Sequence, residues 1–477
     1  MVRLDPEVPG EHAVSSVVDK VVAKGFCCGC GACVAACARD ALIVAVDPVG
    51  QLVACASGDA CNSCGSCLAV CPFGPKGDCE GSLAADLFAD VPSDPIAGSV
   101  RASYVVAVSD GVSRRASASG GAATWILGQA LRSGVIDKIV AVTPASLPFP
   151  HAFEIIDDVE RLLTGRGSVY GQLSLSSVLG QVGADRSGAR YGVACLPCQA
   201  KALRLLITQC DWARDRFPLV VGLVCGHQVT TDFSAFVAER SGSAGGRVVA
   251  FRDSAGSAHA GDSSMRVIEP GRDDRLIPFA EWAGPWAQGW FTLDACRWCE
   301  DVFAELADVT CMDAWLPEFQ SDERGTSLVL CRTAETARMI DAGIERGELD
   351  GGSIGIDRVK ASQSDAVRVK RRLVAQRMRR AEDGGHPHPP RRLLPASGDS
   401  WLDLREVTLR DAVSGASKSS WSMASDDRVG AVLREVADAS RRLQRIQSVR
   451  AALHRIGHPI ATARSAMRHA RRMWGRR

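Results

Sequence analysis

Between about residues 101 and 350, short apolar runs alternate with longer stretches of helical period. SYVVAV (103–108), KIVAV (138–142), RYGVA (190–194), LVVGLVC (219–225) and TSLVLCRT (326–333) have the length and composition of strands. Between them, AATWILGQALRS (122–133), QAKALRLLI (199–207) and TDFSAFVAER (231–240) read as helices, and another helix is expected after the last strand. Alternating strands and helices predict an α/β core with a largely parallel sheet.

The flanks differ from this core. A cysteine-dense module spans 21–80, and a loose Pro-, Asp- and Ser-containing stretch follows to about 100. Beyond 370, VKRRLVAQRMRR is basic and GGHPHPPRRLLPASGD is Pro-rich, so 371–427 reads as a linker. From 428 to 477, Val429, Val432, Leu433, Val436, Leu443, Ile446 and Leu453 recur at helical spacing. Arg441, Arg442, Arg445 and Arg450 lie among them, and Arg471, Arg472, Arg476 and Arg477 crowd the end. The tail is therefore expected to be a basic amphipathic helix docked on its own domain. The alternative is contact with an acidic partner or a membrane surface.

A chain of 477 residues is long enough for two or three domains. Its formal net charge of +1 gives no reason to expect a nucleic-acid partner. The opening MVRLDPEVPGEH has no apolar stretch behind a basic start, so it is not a secretory signal. No uncharged apolar run reaches bilayer length. Nineteen cysteines without an export signal point to a reducing compartment, where thiols bind metal more often than they pair, and a cytoplasmic location is expected.

The cysteines are unevenly placed: eleven lie between Cys27 and Cys79, none between Cys79 and Cys195, and none after Cys331. Two runs repeat one spacing, Cys27-x2-Cys30-x2-Cys33-x3-Cys37 and Cys61-x2-Cys64-x2-Cys67-x3-Cys71-Pro72. This is the pattern of a bacterial ferredoxin with two [4Fe–4S] clusters, in which the fourth cysteine of each run serves the other cluster. Cys27, Cys30, Cys33 and Cys71 are expected to hold one cluster, and Cys61, Cys64, Cys67 and Cys37 the other. Zinc is the rival, but its sites show separated CxxC pairs rather than this doubled run. A small α+β ferredoxin-like domain is thus expected before the core. Cys28, Cys55 and Cys79 are left over as packing or incidental thiols.

Eight more cysteines are scattered: Cys195, Cys198, Cys210, Cys225, Cys296, Cys299, Cys311 and Cys331. Cys195-Leu-Pro-Cys198 follows a strand and opens a helix, as a redox dithiol does. With Cys296-Arg-Trp-Cys299 it could form a zinc site, or four of the eight could hold a third cluster; spacing leaves both open. Ser119-Gly120-Gly121 precedes a helix, which is either an ordinary helix start or an anion site. Gly165, Gly167 and Gly171 do not fit a dinucleotide fingerprint. His227 reads as a loop residue rather than a ligand. Trp282, Trp286 and Trp290 read as one helix face. No catalytic acid, base or nucleophile is assigned.

Taken together, these residues resemble the beta subunit of coenzyme F420 hydrogenase and dehydrogenase. The resemblance is carried by Arg115, Ser119-Gly120-Gly121 and Thr124, then Gly167-Ser168-Val169-Tyr170, Pro197-Cys198-Gln199 and Gly222-Leu223-Val224-Cys225-Gly226. It continues through Cys296-x2-Cys299-x-Asp301, Glu305-Leu306-Ala307-Asp308 and Asp313-Ala314-Trp315. It places the family's N-terminal half at 101–185 and its C-terminal half at 186–350. It implies an iron–sulfur flavoprotein oxidoreductase in which FAD exchanges hydride with coenzyme F420 or another organic substrate, while [4Fe–4S] clusters pass single electrons. Cys198, Cys225, Cys296 and Cys299 would hold a third cluster, leaving Cys195, Cys210, Cys311 and Cys331 as non-ligands. Arg115, Ser119, Gly120, Gly121, Thr124, Ser168 and Tyr170 would bind FAD. The implied partner is a redox protein or ferredoxin. An alternative role is an electron-transfer subunit without its own substrate, feeding a partner enzyme, for example in polysaccharide biosynthesis. The chain departs from the family pattern at Cys195-Leu196 and at Met312, where the family usually has Gly-Thr and Gly.

Overall fold

The computed structural model describes residues 16–75, 79–145, 150–253, 262–398, 400–424 and 426–457. Arg471, Arg472, Arg476 and Arg477 lie outside them. The N-terminal module consists of two short helices, α1 (Ala32–Ala35) and α2 (Ser66–Ala69), around an antiparallel pair, β1 (Leu42–Val46) and β2 (Leu52–Ala56). Each helix follows a cysteine run's second member and starts at a left-handed glycine, Gly31 and Gly65, where a side chain would be strained.

The core opens with β3 (Ala102–Val108), α3 (Ala122–Arg132), β4 (Lys138–Pro144) and β5 (His151–Ile156). It continues with α4 (Ser176–Ala184), β6 (Tyr191–Cys195), α5 (Pro197–Gln209) and β7 (Leu219–Leu223). An antiparallel three-stranded insert, β8 (Arg247–Asp253), β9 (Ser264–Ile268) and β10 (Arg275–Pro278), precedes α6 (Phe279–Gln288). The core closes with β11 (Val309–Asp313), β12 (Ser327–Cys331), α7 (Ala334–Glu345) and β13 (Leu349–Ser353).

Eight of these strands form one sheet in the order β13-β3-β12-β11-β7-β6-β4-β5. The centre, β11-β7-β6-β4, is parallel. The pairings outside it are antiparallel. The sheet is therefore mixed, which corrects the expectation of a largely parallel one. The reason lies at its edges: β12 follows β11 through a 13-residue connection with no helix to cross over, and a parallel partner needs a crossover.

Alternating side chains feed two layers. Val221, Val309, Cys311, Val329 and Cys331 pack with Trp125, Ile126 and Ile340 from α3 and α7 on one face. On the other, Val193 and Val220 pack with α4, α5 and the N-terminal module, and Met312, Leu328 and Leu330 pack with Phe303 and Val359.

The segment 371–427, expected as a linker, contains two helices, α8 (Val374–Asp383) and α9 (Trp401–Met423), with the Pro-rich stretch between them irregular. The tail helix α10 (Arg428–Gly457) lies along α9 and buries Val432, Val436, Leu443 and Ile446, while Leu433 and Leu453 stay exposed. Trp290 falls beyond the end of α6, so it shares no helix face with Trp282 and Trp286. Among the described residues no helix is long and apolar enough to cross a membrane.

Candidate functional site

The motif residues gather at one edge of the large sheet. Cys198 opens the helix after β6, Cys225 and His227 follow β7, Asp313 ends β11, and Ser119-Gly120-Gly121 follows β3. Because β3 and β11 are each antiparallel to β12, all four segments leave the sheet at the same end. The carboxyl ends of strands are where open α/β sheets bind ligands, since loops there diverge and leave a crevice.

In the N-terminal module a cavity is lined by Cys27, Cys30, Cys33 and Cys71, together with Cys28, Gly29 and Gly31. Burial pushes the Cys27 thiol up to about 11. Cys33 is raised well above the ordinary thiol value by burial, then by Cys30, Cys27, Cys71 and Cys67. Cys71 is also raised, by burial first and then by Cys30 and Cys27. Cys30 is shifted the other way, lowered by Cys28 against its burial; four cysteines around one cavity suit a thiolate-ligated cluster. In the outer set Cys61 and Cys64 are exposed. Cys67 is raised by burial and by Cys61 and Cys64, whereas the Ser66 hydroxyl lowers Cys64. Cys37 packs on the same apolar cluster as Cys67.

In the core, Cys225 is pushed up to about 12 by burial, with Cys198 and Cys299 adding to it. Burial likewise raises Cys296, which feels Cys225, Cys299 and Cys198, and Cys299, which feels Cys198. These four therefore lie within electrostatic reach of one another, although they come from α5, the loop after β7, the turn at 295–298 and the residue that follows it. Among the described residues no three His, Cys, Asp or Glu side chains converge as a single metal ion requires, and the sulfurs that hold a cubane stand further apart. Cys195 is 2 % exposed within the apolar layer beneath the sheet. Cys311 and Cys331 face the opposite layer, and Cys210 lies at the far end of α5. Met312 also points into packing, so both departures from the family pattern are absorbed by the core.

Cys28 stands between the two inner sets, because its thiol is held well above the ordinary value by Cys198 and by Cys30, with burial adding to both. The module's position is fixed by Gln172, 3 % exposed, which donates to the carbonyls of Cys28 (3.0 Å) and Leu52 (2.8 Å) and accepts from the Leu52 N–H (2.7 Å). The close approach needs glycine, since a Cβ at Gly29 or Gly31 would stand 2.3 Å from Gln172 or Ser174.

The residues expected to bind FAD fall into two groups. In the first, the Ser119 hydroxyl donates to the Thr326 carbonyl (2.6 Å). A Cβ on Gly120 would lie 2.7 Å from the Ser327 nitrogen and the Val106 oxygen. Gly121 is the left-handed N-cap of α3 and supplies no side-chain cap, leaving first-turn N–H groups to solvent or an anion. Thr124 is half-buried in that turn, and Arg115 is exposed, whereas its neighbour Arg114 is buried against Asp322 (2.5 Å). In the second group, the Tyr170 hydroxyl interacts with Ser168 and Arg252, and its ring packs 4.6 Å from that of Trp286. Arg252 donates twice to Asp313 (both 2.8 Å) and lies over Trp315 (5.5 Å). Asp313 pairs with Ser327 across the sheet, which links the two groups along one edge. His227 stacks on Trp286 (4.3 Å), and burial pushes its pKa down to about 3.

The C-terminal segment supplies groups that sequence reasoning missed. Lys370 donates to Cys299 Sγ (3.2 Å) and the Asp301 carbonyl (2.6 Å). Burial alone would depress its ammonium, but Cys299, Cys225, Cys296 and Asp301 hold it well above its ordinary value. Arg391 lies 4.1 Å over the Phe73 ring, two residues beyond Cys71, and donates to the Trp298 carbonyl (2.8 Å). Arg392 forms two 2.7 Å bonds to buried Glu305. None of these carries a spacing signal, because each reaches the site from a distant part of the chain. Cys28 was visible only as a surplus cysteine.

Two family models match the chain. They are the N-terminal part of the coenzyme F420 hydrogenase/dehydrogenase beta subunit, at residues 103–180, and its C-terminal part, at residues 188–355. The chain belongs to this family of oxidoreductase subunits. Among solved structures, it is similar to a chain of the F420-reducing [NiFe] hydrogenase complex from Methanosarcina barkeri, studied by xenon derivatisation. That chain is 18 % identical, with a TM-score of 0.48, and the match covers 64 % of this chain and 100 % of that one. No curated protein matches the sequence. The N-terminal cysteine module and everything after residue 355 lie outside the family matches.

Proposed function

We propose that the chain is an iron–sulfur flavoprotein oxidoreductase that passes electrons between a hydride donor or acceptor, coenzyme F420 or another organic substrate, and one-electron carriers. The observation that carries this reading is the contact of Cys28 with both Cys30 and Cys198, which joins the inner cysteine set of the module to the set at the sheet edge. Bound [4Fe–4S] clusters would supply one-electron exchange, and FAD would interconvert hydride and single electrons. Cys27, Cys30, Cys33 and Cys71 would hold the inner cluster of the module, Cys37, Cys61, Cys64 and Cys67 the outer one, and Cys198, Cys225, Cys296 and Cys299 the core one. The first turn of α3, with Arg115, would receive the pyrophosphate, and Tyr170 would line the crevice beside Trp286.

The exposure of Cys61 and Cys64 favours a second reading, an electron-transfer subunit without its own substrate, because it opens the outer set to a protein partner. Protein purified without oxygen should be brown and contain flavin, with roughly twelve irons per chain at four per cluster. Zinc in place of iron would overturn both readings. Full iron with no flavin, not restored by added FAD, would leave only the second.

A further inference from the structure

We infer that Lys370 sets the reduction potential of the core [4Fe–4S] centre, as a buried positive charge hydrogen-bonded to one of its ligands. The inference rests on the reading of Cys198, Cys225, Cys296 and Cys299 as those ligands. Lys370 is 2 % exposed. Its two hydrogen-bond acceptors are a thiol sulfur and a backbone carbonyl; among the described residues no carboxylate forms a salt bridge with it, and Asp301 acts on its charge only after Cys299, Cys225 and Cys296. A buried ammonium outside a salt bridge is costly unless it faces another concentration of negative charge. Four thiolates around a cubane provide that charge, and it grows by one on reduction. The cation therefore stabilises the reduced state more than the oxidised one. A hydrogen bond to a ligand sulfur acts in the same direction.

The backbone supports this placement. Lys370 lies in a π-helical turn, Arg368–Leu373, a local widening that often marks functional sites. The turn is pinned on both sides, by Arg371 on Glu305 (2.7 Å) and Arg368 on Glu406 (2.9 Å). It lies beyond residue 355, where the family match ends, so the tuning charge comes from this chain's own C-terminal extension.

The test is an electron-paramagnetic-resonance redox titration of the anaerobic full-length holoprotein carrying K370M, K370Q or K370R. K370M removes charge and donor, K370Q keeps a donor, and K370R keeps both. The core centre's midpoint potential should fall most in K370M, less in K370Q and little in K370R, with the two N-terminal centres unmoved. An unchanged core potential in K370M or K370Q at full iron content overturns the inference. If wild-type protein holds roughly eight irons at four per cluster, and Cys225→Ser removes none, the core centre itself is absent and the underlying reading falls.

Discussion

Burial beside other thiols holds the Cys71 proton tightly, so ionisation there favours metal binding. Cys71 lies 34 residues beyond Cys37 in the sequence, yet feels Cys27 and Cys30. Cys71→Ser should therefore remove about four irons per chain. Cys28→Ala should retain them, because Cys28 touches two sets without completing either. Iron and sulfide assays separate the variants, and equal iron loss in both would make Cys28 a ligand. Adjacent arginines offer a second contrast. Arg115 is exposed while Arg114 is buried against Asp322 and the Gly325 carbonyl. Arg115→Ala should weaken FAD binding at nearly unchanged stability. Arg114→Ala should cost about 1–2 kcal/mol, since it removes a buried side chain's packing and the donor to the Gly325 carbonyl. Flavin titration and denaturant unfolding read the two effects independently.

At the scale of elements, the C-terminal helices are joined to the core by buried acids. Asp403 and Glu406, both on α9, meet Arg372 and Arg368 from the preceding segment and Arg450 from α10. Burial alone would raise both carboxyls, but the arginines hold them below their ordinary values of 3.8 and 4.5. Their stabilisation is therefore complete above those values and lost as pH falls through the depressed folded ones. Hydrogen exchange across 401–450 should rise on acidification through that window, before exchange in the central strands does. Much of this architecture was legible in the chain. The runs at 103–108 and 138–142 lie in strands, as does the 219–225 run up to Leu223, because each is β-rich and bounded by turns. VTCMD at β11 and LDGGS at β13 carry no such signal; they are strands because their neighbours supply hydrogen-bond partners. Helix α9 was hidden because its buried face includes Asp403, Glu406, Ser414, Ser417 and Lys418, which satisfy one another or the core instead of forming an apolar stripe. The cysteine runs were legible because ligand spacing is local. Lys370 was not, because its role depends on where the fold brings it.

Across the whole molecule, the N-terminal module is fastened rather than tethered. Gln172 satisfies the backbone of Leu52 and the carbonyl of Cys28, and Leu175 donates to the Cys30 carbonyl (2.9 Å). A rigid dock suits electron transfer, which depends steeply on the separation of centres. Gln172→Leu leaves three buried backbone groups unpaired and should cost about 2–4 kcal/mol. Limited proteolysis should then release the module from otherwise folded protein. Retention of wild-type resistance would show that the glycine contacts hold the dock alone.

The reach of Arg391 over Phe73 also imposes an order in time. Some 320 residues separate Cys71 from Arg391, so a ribosome working at roughly 5–20 residues per second needs about 16–64 s to connect them. Throughout that interval the first cysteine runs have left the ribosome while the segment that closes over them is still unmade. Assembly factors thus meet an open inner cysteine set on the nascent chain, and one closed on the Cys71 side by Arg391 on the finished protein. Iron delivered during translation should enter the inner site of wild-type chains more readily than iron offered after release. In Arg391→Ala chains, pulse-labelling with radioactive iron should find the two routes closer to equal.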